Sequence, residues 1–164
     1  GVKFTADGAC VALSVCTVGY DGVAYVDFIK SELTMNGIQW LVRWLAERAD
    51  ECCGIGIDGY AGSTDLALQL VSEGVPRNAV MVARTRDACD ANSMLMNALN
   101  DGTLRHGTDP ALRESAIGST RRQIGAAGGF GFGGDISERI ESAALALWAA
   151  RTSKRDPNGE AVVW

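Results

Sequence analysis

The sequence predicts an α/β domain: a mixed sheet of about five strands with helices on both faces. Two observations carry this. Three strand-like segments joined by tight-turn signals open the chain. Short apolar strands then alternate with amphipathic helices, giving the order βββαβαβα. Antiparallel strands first and βα units after them make the sheet mixed rather than purely parallel.

The elements follow in order. Residues 1–5 read as a strand leading into Ala6-Asp7-Gly8, and Asp-Gly is a strong hairpin signal. Residues 10–17 and 23–28 complete a meander around the turn Gly19-Tyr20-Asp21-Gly22. Ile38, Leu41, Val42, Leu45 and Ala46 recur at helical spacing, with Trp40 and Trp44 as a neighbouring stripe that suits a contact surface. Residues 52–57 form a short buried strand ending at Asp58, and Ser63 or Thr64 is placed to cap a helix stopping at Gly74. A strand over 78–83 precedes a helix from Thr85 to Asp101-Gly102, with Ala91, Met94, Leu95, Ala98 and Leu99 inward. Residues 104–106 suit a brief edge strand, and Pro110 opens a helix to about 119. The glycine-rich stretch 125–134, with Phe130 and Phe132 alternating, reads as a loop or glycine-rich strand. A last helix covers about 136–152. The domain is therefore expected over 1–153, with 154–164 a loosely ordered tail. The chain begins directly in a strand, as a domain excised from a longer protein would. This element order matches the RNase H-like (RuvC-like) architecture.

The 164 residues suffice for one domain with a real core, and 47% hydrophobic content argues against disorder. No apolar run reaches the roughly 20 residues of a membrane helix, so no membrane partner is expected. A net charge of −5 disfavours general affinity for nucleic acid. A local basic face is still open to Arg105, Arg113, Arg121, Arg122 and Arg139 in the second half. The 5 cysteines show no zinc-type spacing, and an odd number does not make a disulfide framework. They read as buried thiols in a reducing, intracellular setting.

Two carboxylates sit where packing gives them little reason to be. Asp58 closes the apolar run Gly54-Ile55-Gly56-Ile57, at the end of a strand where open α/β sheets hold their ligands. It also suits the start of a turn with Gly59. Glu141 opens a stretch that carries no further charge until Arg151. Asp135 and Glu138 have the spacing of a capping box for the last helix, and Asp7 that of a hairpin turn. His106, the only histidine, has no nucleophile motif beside it. The glycine-rich stretch has no phosphate-loop pattern.

The segments Gly1-Val2-Lys3-Phe4-Thr5-Ala6-Asp7-Gly8, Ile57-Asp58-Gly59, Leu104 to Leu112 and Arg139-Ile140-Glu141-Ser142-Ala143-Ala144-Leu145-Ala146 stand in a telling order. In that order and spacing the chain resembles, over nearly its whole length, the C-terminal nuclease domain of the large terminase subunit of tailed bacteriophages. The resemblance implies an RNase H-like fold and an endonuclease that cuts concatemeric viral double-stranded DNA during genome packaging in the host cytoplasm. It implies an N-terminal ATPase motor domain in the same polypeptide, with a small terminase subunit and a portal as partners. It also implies Mg²⁺ or Mn²⁺ as cofactor, with two ions clamping the attacking and leaving oxygens.

Residue by residue, Asp58 matches the central-strand ligand, and Glu141 the late-helix acid, with Asp135 as its substitute. Lys3 stands where relatives carry an aspartate, and Asp7 is the nearest acid to take over. On this expectation Asp58 bridges two ions while Asp7 and Glu141 (or Asp135) each hold one. Lys3, Arg105, Arg121 and Arg122 are candidate contacts to DNA phosphates. The competing expectation is a domain that lost its metal site at Lys3 and docks on a packaging motor or portal.

Overall fold

The computed structural model describes residues 1–126 and 128–157. Its main sheet holds six strands: β1 (Val2–Phe4), β2 (Cys10–Val18), β3 (Ala24–Leu33), β4 (Ile55–Asp58), β5 (Val80–Val82) and β6 (Leu104–His106). Their spatial order is β5-β4-β1-β2-β3-β6. β1, β2 and β3 pair antiparallel, while β4, β5 and β6 join parallel to their neighbours. The mixed sheet is thus as expected, and the edge strand β6 makes the sixth member.

Among the described residues five α-helices cover the sheet: α1 (Gln39–Ala46), α2 (Ser63–Ser72), α3 (Thr85–Asn100), α4 (Pro110–Gly118) and α5 (Ser137–Thr152). Two cores lie on the two faces. One joins Val2, Phe4, Val11, Leu13, Ile55 and Ile57 to Leu41, Val42 and Leu45 of α1 and Leu66 and Leu70 of α2. The other joins Ala24, Val26 and Leu104 to α3, α4 and α5. Truncating a fully buried leucine such as Leu66 to alanine costs about 2–5 kcal/mol.

Strand alternation decides which side chains meet α5. With Val2 and Phe4 in the first core, Lys3 must point to the opposite face, and with Ile55 and Ile57 there, Gly56 and Asp58 do too. α5 runs across that face, touching β1, β2, β3 and β4. It comes close because the opposing residues are small. A Cβ on Gly56 would fall 2.9 Å from the Leu145 carbonyl oxygen. Ser14 of β2 and Ser142 of α5 share a buried hydroxyl hydrogen bond of 2.7 Å. From Ile140 to Ala149 every residue of α5 is buried, as a helix without a polar face requires.

Several local expectations change. β3 continues to Leu33, past the expected end at 28, and β4 starts at Ile55 rather than 52. The stretch 125–134 does hold a glycine-rich strand, β8 (Gly129–Gly133), and it pairs with an unexpected β7 (Thr120–Ile124) in a hairpin packed against α3 and α5. α2 begins without a side-chain cap, so neither Ser63 nor Thr64 plays that part. The Asp135–Glu138 capping box does not form: Ile136 holds the N-cap position, Asp135 is exposed and Glu138 is buried. Trp40 and Trp44 are half-buried, and each has a cation over its ring: Lys30 at 4.7 Å and Arg48 at 4.4 Å. After α5, Arg155 donates to the Ala49 carbonyl at 2.9 Å and to that of Cys52, which docks the start of the tail beside β4. The remainder of the expected tail, 158–164, lies outside the described residues.

Candidate functional site

Parallel pairing of β1 with β4 sets Lys3 directly opposite Asp58, on the face that α5 covers. The Lys3 ammonium bonds to Asp58 Oδ2 and lies 3.2 Å from Glu141 Oε2. Glu141 is 4% exposed and fully engaged: its Oε1 accepts from the Phe132 N–H at 3.1 Å and lies 3.4 Å from Arg122 Nη2. A buried carboxylate needs such partners, since an unpaired one carries a desolvation cost of several kcal/mol. The glycine-rich strand β8 makes room for it. A Cβ on Gly131 would fall 2.9 Å from Glu141 Oε1, so a larger residue would crowd the carboxylate against the hairpin.

Above this centre lies an open groove of about 750 Å³, lined by Lys3, Asp58 to Tyr60, Ser63, Thr64, Ala83 to Thr85, Ala88, Arg122 and Ile124. It sits beyond the C-terminal ends of β4 and β5, the expected ligand position of such a sheet. Tyr60 is fully exposed at its lip. Lys3, Arg84 and Arg122 give it cationic walls suited to phosphate oxygens.

The structure therefore brings together Asp58, Glu141, Lys3 and Arg122. Asp7 and Asp135 are not among the groove-lining residues. Asp7 is exposed in its turn, where Oδ1 accepts from Ala9 N–H at 3.0 Å and from Thr5 Oγ1 at 2.7 Å. Those bonds, led by the one from Ala9, hold its carboxyl below the usual range. Asp135 lies exposed just ahead of α5. Arg121 stacks over Phe130 at 4.0 Å, on β7 beside Arg122. Arg105 donates to the Gly102 carbonyl at 2.8 Å on β6, the edge of the sheet opposite β5. Sequence reasoning missed Arg84 and Tyr60. The available signal was position: Arg84 comes two residues after β5, the strand beside β4, and Tyr60 two residues after Asp58.

Two hard carboxylates reaching one point suit Mg²⁺ or Mn²⁺. A cation shared by Asp58 and Glu141 would stand where the Lys3 ammonium stands. Among the described residues, no three His, Cys, Asp or Glu side chains form a metal-ligand group.

No family model matches the chain, and no curated protein does. Among solved structures, it is similar to the HK97 bacteriophage large terminase, with a TM-score of 0.52 and 14% identity. The match covers 91% of this chain and 39% of that one. At that identity the likeness concerns the fold, and it agrees with the RNase H-like class expected from the sequence. Among the described residues no helix is long and apolar enough to cross a membrane.

Proposed function

We propose that this chain is the nuclease-fold domain of a large-terminase-like protein of a tailed phage, and that its groove cleaves double-stranded DNA during genome packaging in the host cytoplasm. The observation that carries the reading is the convergence of Asp58 and Glu141, from the end of β4 and from α5, beneath a groove with cationic walls. The chain spans 39% of the length of the terminase it is similar to. An N-terminal ATPase motor domain, a small subunit and a portal belong to the proposal as partners.

In this reading Asp58 and Glu141 hold a Mg²⁺ or Mn²⁺ ion, which would activate water and stabilise charge on the leaving oxygen. Arg84 and Arg122 grip backbone phosphates, and Lys3 faces the scissile phosphate once its carboxylate partners are engaged elsewhere. The test is cleavage of supercoiled plasmid with Mn²⁺, beside Asp58→Asn, Glu141→Gln and EDTA controls. Metal-dependent nicking lost in both variants supports the reading. Loss in Asp58→Asn alone transfers the late-helix role to Asp135.

One observation favours a second reading. Lys3 and Arg122 together already balance the charge of the two carboxylates. A domain so compensated would serve as a non-cleaving scaffold that docks on the motor or portal. No nicking by the wild-type chain, with no metal bound, would select it.

A further inference from the structure

We propose that Lys3 is a built-in cation of this centre, limiting it to one divalent ion and opposing the binding of even that one. The inference rests on reading Asp58 and Glu141 as cation ligands. Lys3 is fixed at its root. Val2 and Phe4 on either side are buried in the opposite core, and its backbone is paired to β2 on one side and β4 on the other. The side chain borders the groove and is only 8% exposed.

Its ammonium meets both carboxylates, so a metal shared by Asp58 and Glu141 must displace it. Charge balance points the same way. Two carboxylates carry two negative charges, and Lys3 and Arg122 already supply two positive ones. An incoming divalent ion gains little net attraction, and a second would add repulsion from the first and from the ammonium. Lys3 also lines the groove, which gives a displaced ammonium somewhere to go. There it can meet a phosphodiester oxygen and neutralise charge that a second ion would otherwise neutralise.

The pairing register says how to reverse this. Position 3 lies opposite Asp58 on the same sheet face, so a carboxylate there would converge with Asp58 and Glu141 as a third ligand. The experiment counts Mn²⁺ ions on the metal-stripped 164-residue chain by calorimetry and electron paramagnetic resonance, without DNA. Wild type is expected to bind no more than one ion and Lys3→Asp two. Lys3→Asn removes the charge without adding one, and should tighten the first ion by about tenfold or more.

Circular dichroism first establishes that each variant is folded. If Lys3→Asp is not, the Lys3→Asn affinity decides. Two ions on wild type would overturn the proposal. So would a Lys3→Asp count no higher than that of wild type, or an unchanged Lys3→Asn affinity. The readout is binding, so a wild-type chain that fails to nick DNA would sink the nuclease reading while leaving the ion count to be judged alone.

Discussion

Lys3 and Glu141 come from opposite ends of the chain, yet the ammonium of one lies 3.2 Å from Oε2 of the other. Both are buried, so each depends on the other to offset its lost hydration. Replacing Lys3 with methionine should lower unfolding free energy by about 3 kcal/mol, because it takes the cation from Asp58 and leaves Glu141 only Arg122 and the Phe132 N–H. Urea denaturation measures this. Adding Glu141→Gln to the first change should cost less than it does alone, since one of its partners is already gone. Strictly additive losses would mean the pair is not coupled.

The approach of α5 to the sheet can be tested at Gly56. Its Cβ would meet the Leu145 carbonyl oxygen at 2.9 Å, and backbone cannot rotate away as a side chain can. Gly56→Ala is expected to destabilise by about 1–3 kcal/mol, the usual range for overpacking. By shifting the helix that carries Glu141, it should also reduce any metal-dependent nicking. A neutral thermal melt would contradict the close packing.

Ser14 and Ser142 offer a cleaner probe of the same contact. Ser142→Ala leaves the Ser14 hydroxyl buried without its 2.7 Å partner, at a cost of about 1–3 kcal/mol. The double alanine variant should recover part of that loss, since it removes both polar groups together. Calorimetric melts of the single and double variants give the coupling.

Glu138 makes stability depend on pH. Burial raises its carboxyl pKa, aided by nearby Glu141 and opposed by its own backbone N–H and by Arg139. Its charged form is therefore disfavoured in the fold. The penalty is full above the raised pKa and vanishes below the value of the unfolded chain. Glu138→Gln should raise the melting temperature at neutral pH, and the difference should shrink as pH falls through the carboxylate range. A gain that stays constant with pH would point to packing instead.

Arg84 should act on DNA by charge. Arg84→Ala is expected to weaken duplex binding with little regard to sequence, and to lower the salt slope by about 1, the loss of one phosphate contact. Fluorescence anisotropy across a salt series reads both effects. Arg105→Ala, on the opposite edge of the sheet, should leave the slope unchanged if the groove is the DNA path.

Much of the fold was legible because its signals are local. Helical spacing marks α1 and α3, Asp-Gly marks the first hairpin, and short apolar runs between turn residues mark β4 and β5. The hairpin β7–β8 was harder to read. Glycines at 129, 131 and 133 have poor strand propensity, and the hairpin packs through long-range contacts with α3 and α5. The expected capping box failed because burial of Glu138 outweighed a local bond that Asp135 and Glu138 had the spacing to make.

The candidate site divides along the same line. The sequence by itself singled out Asp58 by its place at a strand end and Glu141 as a charge opening an uncharged stretch, because both are anomalies within a single element. It also showed Lys3 in the first strand. Only the tertiary structure decided that the three meet. Pairing register sets Lys3 against Asp58, and small residues let α5 lie close enough for Glu141 to reach the same ammonium. Register and the distance from helix to sheet are properties of packed elements, and no local stretch of sequence encodes them.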